Sequence, residues 1–147
     1  MAPDQLSRVQ IPHCSSYGKV VLIMTILKEM EYTTEKTIEV IAKGEMLGFE
    51  WFVISYGTHP CCYIKIPEDH ELFEVDYRDY YDNDIHINCH GGITYSANRL
   101  LDSLDDGWYI GWDYTHLGDY HAKIEPWGRK YPVSVLVADV TEVICDL

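Results

Sequence analysis

Residues 49–67, FEWFVISYGTHPCCYIKIP, constrain the fold more than any other stretch of the chain. Two aromatic and β-branched runs, 49–56 and 61–67, flank Gly-Thr-His-Pro. The second run alternates Tyr63 and Lys65 against Cys62, Ile64 and Ile66. A period of two interrupted by turn residues predicts an antiparallel hairpin, which Pro67 closes. A lone hairpin is at best marginally stable in water, so the rest of the chain must supply more strands and a covering layer.

The flanking segments are read the same way. Residues 1–18 carry Pro3, Pro12, Gly18 and several serines and read as a flexible arm, leaving 19–147 as one domain. The run KVVLIMTILKEM, 19–30, fits a buried strand or a short helix equally well. Residues 33–47 predict a helix: Thr33 and Thr34 suit an N-cap, Glu35 suits a first turn, and Ile38, Ile41 and Ala42 fall at helical spacing before Gly48. Residues 85–90 alternate Ile85, Ile87 and Cys89 against His86, Asn88 and His90, which predicts a strand that Gly91-Gly92 breaks. ITYS can resume it, 97–107 reads as a connector, WYIGWDY (108–114) as another strand, and 133–147 as a terminal helix or strand-plus-helix. The expected class is α+β: one antiparallel sheet of four to six strands with two or three helices.

Composition narrows the function. The chain has 147 residues, enough to bury a core without disulfides or metal. Its net charge of −13 disfavours direct contact with nucleic acid. Residues 68–84 hold eight acidic residues and one Arg, a net of −7, interleaved with Tyr77, Tyr80 and Tyr81. No period survives there, so a long surface loop is expected, and Asp76, Tyr77, Asp79, Tyr80, Tyr81 and Asp82 are its candidate partner-binding residues. The five cysteines are odd in number, two are adjacent, and none has Cys-x-x-Cys spacing, which predicts a reduced chain without a zinc ribbon. The polar opening has no apolar signal segment, and VVLIMTIL is too short to span a bilayer. A cytoplasmic protein without membrane contact is expected.

CCYIKIPEDHELF (61–73), DYRD (76–79), HGGITYS (90–96) and WYIGWDYTHLGDY (108–120) together resemble a group of small proteins encoded by bacteriophages and prophages. Members of that group show Tyr-Val-x-x-Pro-Glu-x-His, His-Gly-Gly-x-Thr-Tyr-Ser and Gly-Phe-Asp followed by His and Gly-Asp. The likeness covers roughly residues 49–120. Trp112 stands where Phe is usual, and the arm before Lys19 and the tail after Tyr120 are particular to this chain. The resemblance implies a phage setting in a host-cell cytoplasm and, by association, a counter-defence role, but it brings no established activity.

The candidate ligand-binding residues are His90, Gly91, Gly92, Thr94, Tyr95, Trp108, Trp112, Asp113, His116 and Asp119. Paired glycines let backbone approach an anion, hydroxyls orient a ligand, and Trp108, Trp112 and Tyr114 offer faces for a base. Arg78 or Arg99 would meet a phosphate. The alternative is a small metal-dependent hydrolase using His90, Asp113, His116 and Asp119, with His70 and His86 in reserve, although no strong metal signature is present. Cys89 or Thr94 with His90 as base is disfavoured, because neighbours on a strand face opposite ways. If the acidic loop folds over the His-Gly-Gly turn, Glu68, His70 and Asp76 join the site. The expected function is an accessory protein that acts by binding, blocking a host protein or sequestering a nucleotide-like small molecule, without cofactor and with homo-oligomerisation open. A phage structural or assembly protein remains a further alternative.

Overall fold

The computed structural model describes residues 5–9 and 20–147. Seven strands form a single antiparallel sheet in the order β1-β2-β3-β4-β5-β7-β6. They are β1 (Gln5–Val9), β2 (Val20–Ile26), β3 (Glu39–Met46), β4 (Phe49–Ser55), β5 (Pro60–Ile66), β6 (Tyr95–Ala97) and β7 (Trp108–Asp113). Strands β2 to β7 make up the expected sheet, and β1 adds an edge strand along β2. One α-helix, α1 (Val133–Cys145), follows, so the described residues hold one α-helix where two or three were expected. Part of the expected arm is therefore strand, and the rest of residues 1–19 lies outside the described residues.

The 49–67 hairpin forms as read, with Trp51 opposite Ile64 and Ser55 opposite Pro60. The undecided run at 19–30 supplies β2. The helix expected over 33–47 does not form. The Thr33 hydroxyl donates to the Glu35 carbonyl and accepts from the Glu35 N–H, closing a local turn that leads into β3. The register between β3 and β4 shifts between Val40 and Ala42, leaving Ile41 as an extra residue. That β-bulge brings the adjacent Ile41 and Ala42 both into the core, which breaks the strand's period of two, while Ile38 stays exposed before the strand.

Helix α1 packs on one face of the sheet. Leu136, Val140 and Ile144 meet Trp51, Cys62, Ile64, Ile110 and Trp112 there. Trp51 and Trp112 are fully buried, and burying an aromatic side chain of this size contributes about 2–3 kcal/mol. Pro132 caps α1 without a side-chain hydrogen bond. The Glu29 carboxylate takes that role from outside, accepting the Val133 N–H, where its charge also suits the positive helix end. On the opposite face the connector lays Leu100, Leu101 and Leu104 over Phe52, Tyr63 and Tyr109. Residues 85–90 are not a strand. They keep their alternation, with Ile85, Ile87 and Cys89 against the core, but they join no strand ladder, and the Ile85 N–H and Cys89 carbonyl are used in local turns instead.

Gly44 sits where the sheet is tightest. A Cβ there would lie 2.2 Å from the Ile23 carbonyl oxygen and 2.5 Å from the Trp51 ring. Gly44→Ala should therefore lower the unfolding free energy by about 2 kcal/mol, as overpacking does. Urea denaturation measures this, and an unchanged midpoint would contradict the packing.

Candidate functional site

The end of β7 and the turn after residue 90 converge. Asp119 is buried at 2 % exposure, and both of its carboxylate oxygens are engaged. The Tyr131 hydroxyl donates to Oδ1 at 2.6 Å, while His90 Nε2 at 2.7 Å and the His116 N–H at 3.0 Å meet Oδ2. Burial alone would raise the carboxyl's pKa, but the Tyr131 hydroxyl, His90 and the His116 N–H outweigh it and hold it below its ordinary value. Burial, and then the bond to Asp119, pushes the Tyr131 hydroxyl up to about 12.

Rings fill the space around this carboxylate. His90 stacks on Tyr114 with centroids 4.5 Å apart and planes 13° apart, and Tyr131 meets His90 edge-on at 5.4 Å. The Tyr114 hydroxyl donates to Asp139 of α1 at 2.6 Å and accepts the Trp112 indole N–H at 3.1 Å. Beside His90, a shallow cavity of about 340 Å³ is lined by Asn88 and Cys89 and, from α1, by Asp139, Glu142 and Val143.

The glycine pair has a packing role. Gly91 and Gly92 both have positive φ, and a Cβ on Gly91 would lie 2.1 Å from His116 Nε2. The Gly92 N–H donates to the Cys89 carbonyl, so the turn consumes it rather than presenting it to an anion. Asp113 accepts the Thr94 hydroxyl at 3.0 Å and the Thr115 N–H at 3.3 Å. His116 Nε2 stands 3.1 Å from Asp113 Oδ1, inside ion-pair range but off hydrogen-bonding geometry, which leaves that buried nitrogen without a hydrogen-bond partner.

His90, Gly91, Thr94, Asp113, His116 and Asp119 thus meet, whereas the other expected residues do not join them. Trp112 lies in the core with its N–H committed to Tyr114. Trp108 packs half-buried against the same core. Tyr95 faces the other side of the sheet, edge-on to Tyr63, with its hydroxyl on the Arg99 carbonyl. Trp112 and Tyr114 are both buried, and His90 covers one face of Tyr114. Arg78 is paired with Asp76 and Arg99 with Asp106.

The acidic loop does not fold over the His-Gly-Gly turn. His70 packs edge-on against Phe49, at the opposite end of the sheet from Asp113. Within the loop, Asp76 caps a single 3-10 turn and pairs with Arg78, the Tyr77 N–H is held by Ser96, and Tyr80 is buried. Asp79, Tyr81 and Asp82 remain exposed.

Reactive thiols are absent from the cluster, since burial pushes Cys89 and Cys61 up to about 12 and Cys62 well above its ordinary value. Those three are free, while Cys145 is disulfide-bonded, against the expectation of a wholly reduced chain. Among the described residues, no group of three or more His, Cys, Asp or Glu side chains is placed to hold a metal ion, and no helix is long and apolar enough to cross a membrane.

What the cluster does hold is the loop between β7 and α1. The Arg129 N–H donates to the Gly118 carbonyl at 2.7 Å and the Tyr120 N–H to the Arg129 carbonyl at 2.8 Å. The Glu125 carboxylate accepts the Gly118 N–H, and His121 Nδ1 accepts the N–H groups of Lys123 and Ile124. This pinned loop turns Leu117, Ile124 and Trp127 to solvent, at 98, 72 and 78 % exposure. Sequence reading missed these three and Tyr131. The available signal was Trp127 inside a Pro-Trp-Gly turn, where an aromatic has little core to enter.

No family model matches this chain, and no curated protein or solved structure matches it.

Asp119 ionises more readily in the folded chain than in the unfolded one. Its contribution is complete above the ordinary carboxylate pKa of about 3.9 and is lost as pH falls through the lowered folded value. Asp119→Asn should flatten that acid limb of the stability profile. Tyr131→Phe should cost about 1.5–3 kcal/mol at neutral pH, as losing a hydrogen bond to a charged group does. Urea titrations across acid and neutral pH read both, and an acid limb as steep in Asp119→Asn as in the parent would refute this role.

Proposed function

We propose that the protein acts by binding a partner protein, with the pinned loop after β7 as its working surface. The observation that carries this reading is the exposure of Leu117, Ile124 and Trp127 on a loop whose backbone is tied at both ends. Large apolar side chains on a backbone already fixed cost less ordering on association than those on a loose loop, and Trp is among the residue types most enriched in binding hot spots. The surroundings suit an acidic partner surface: Lys123, Arg129 and Lys130 are exposed, and the loop's two carboxylates, Asp119 and Glu125, are spent on internal donors.

The phage setting, and with it a counter-defence role against a host protein, rests on the motif resemblance alone. Sequestration of a nucleotide at the His-Gly-Gly turn loses support, because Trp112 and Tyr114 are buried, Tyr95 packs on the other side of the sheet and the Gly92 N–H is already used. Hydrolysis by His90, Asp113, His116 and Asp119 loses support as well, since Asp119 has given both oxygens to internal donors.

Placing a photo-crosslinking amino acid at Trp127 tests the proposal inside producing bacteria. One discrete protein adduct is expected, and Ile124→Asp should remove it while leaving the melting temperature unchanged, because Ile124 is exposed. Absence of an adduct, or an adduct indifferent to Ile124→Asp and Leu117→Asp, would refute the loop as the working surface.

A further inference from the structure

The face of the sheet opposite α1 carries a second cavity, unrelated to the docking loop's apolar tip. Its volume is about 390 Å³. Register sets its floor: Cys61 lies opposite Asp113, and Tyr63 lies opposite Gly111. A Cβ on Gly111 would stand 2.4 Å from the Tyr63 ring, so glycine there lets that ring lie down across β7. The wall is Tyr56, which stacks on His59 with planes 19° apart, while its hydroxyl meets the Tyr63 hydroxyl at 2.8 Å. His59 is itself backed by His121, at 5.9 Å, and its Nδ1 pairs with the Thr58 hydroxyl.

Two opposite charges line this aromatic space. Asp113 contributes a carboxylate whose side chain is only 23 % exposed; the neutral Thr94 hydroxyl and the Thr115 N–H donate to it, and His116 Nε2 stands 3.1 Å from its Oδ1. Neither Lys nor Arg pairs with it among the described residues. Lys36 also lines the cavity and makes no ion pair among the described residues. A half-buried carboxylate with only a histidine ring and no Lys or Arg beside it favours a positive ligand group, and a free ammonium at the same cavity favours a negative one. Burial holds the His59 pKa below its ordinary value, so its ring stays neutral at pH 7 and competes for neither charge.

We propose that this cavity binds a small zwitterion, an α-amino acid with a flat or apolar side chain. The ammonium group sits on Asp113, the carboxylate meets Lys36, and the side chain lies against Tyr56 and Tyr63. The volume is at the low end of small-molecule sites, which suits a single amino acid and is tight for a dinucleotide. Cys61 on the floor is held as a thiol, with its pKa pushed up to about 12 by burial, so the cavity retains its ligand without attacking it.

Calorimetric titration of the full chain tests this with phenylalanine, tyrosine and leucine as probes, beside phenethylamine, phenylacetate and AMP. At least one amino acid should bind saturably at millimolar concentration or better, and more tightly than phenethylamine or phenylacetate. Lys36→Ala, at an exposed position, should weaken the amino acid about tenfold and leave phenethylamine unchanged. Asp113→Asn should remove both. No saturable heat from any amino acid, tightest binding by AMP, or amino-acid binding that survives Lys36→Ala undiminished would each overturn the proposal. Ile124→Asp, which disables the docking loop, should leave amino-acid binding intact, so the two readings fail separately.

Discussion

The Asp119 carboxylate draws together three stretches that the sheet leaves apart. His90 comes from the extended segment before β6, the His116 N–H from the turn after β7, and Tyr131 from the residue pair that opens α1. A buried carboxylate costs free energy to take out of water, and with no Lys or Arg on it the compensation must come from hydrogen bonds. Three donors on two oxygens supply that compensation and fix three pieces of backbone relative to one another. The residues that look most catalytic in the sequence are therefore the ones that organise the loop. Their spacing is that of a clamp, and the chemistry a carboxylate-histidine pair offers elsewhere is spent here on internal contacts.

Strand β7 divides the molecule's work between its two faces. Ile110, Trp112 and Tyr114 point to the α1 side and build the core beneath the clamp, while Tyr109, Gly111 and Asp113 point to the other side, where Gly111 makes room for Tyr63 and Asp113 lines the cavity. The period of two thus separates Trp112 from Asp113 although they are neighbours in sequence. It also explains why a motif that reads as one site resolves into a structural half and an open half. His116 stands at the crossing, with its backbone on Asp119 and its ring beside Asp113, and the absence of a side chain at Gly91 makes room for that ring.

Much of the sheet was legible because alternation reports burial. The 49–67 hairpin and β7 followed from it directly, and even the unpaired 85–90 segment turned its apolar residues inward as the pattern required. Alternation says which side faces the core and nothing about whether a neighbour pairs with the backbone, which is why that segment was misread as a strand. The β3 bulge misled in the opposite direction. One inserted residue puts the adjacent Ile41 and Ala42 both in the core and breaks the two-residue period, the exposed Ile38 completes a helix-like spacing by sequence alone, and the Thr33 turn imitates a cap. The convergence of His90, His116 and Asp119 was visible as a cluster of residue types. Their role was not, because it depends on Tyr131 and Tyr114, whose contacts cross loops and helix at separations no local pattern encodes.

Charge closes the argument about the docking loop. The molecule carries −13 overall, and a partner with an acidic surface is repelled by that total once it comes within the Debye length of about 8 Å at physiological salt, beyond which the charge is screened. Lys123, Arg129 and Lys130 can offset the repulsion only at contact range. Lys130 is also held over the Tyr120 ring at 4.6 Å and Arg129 over Tyr131 at 5.0 Å, which keeps both close to the clamp. Affinity must therefore come from Leu117, Ile124 and Trp127 entering an apolar socket, with the basic residues fixing orientation at its rim. A loose loop would forfeit part of that affinity to the entropy of ordering its backbone. The buried carboxylate at Asp119 lowers this cost, since it sets the loop's backbone before any partner arrives, and leaves only the side chains to be ordered.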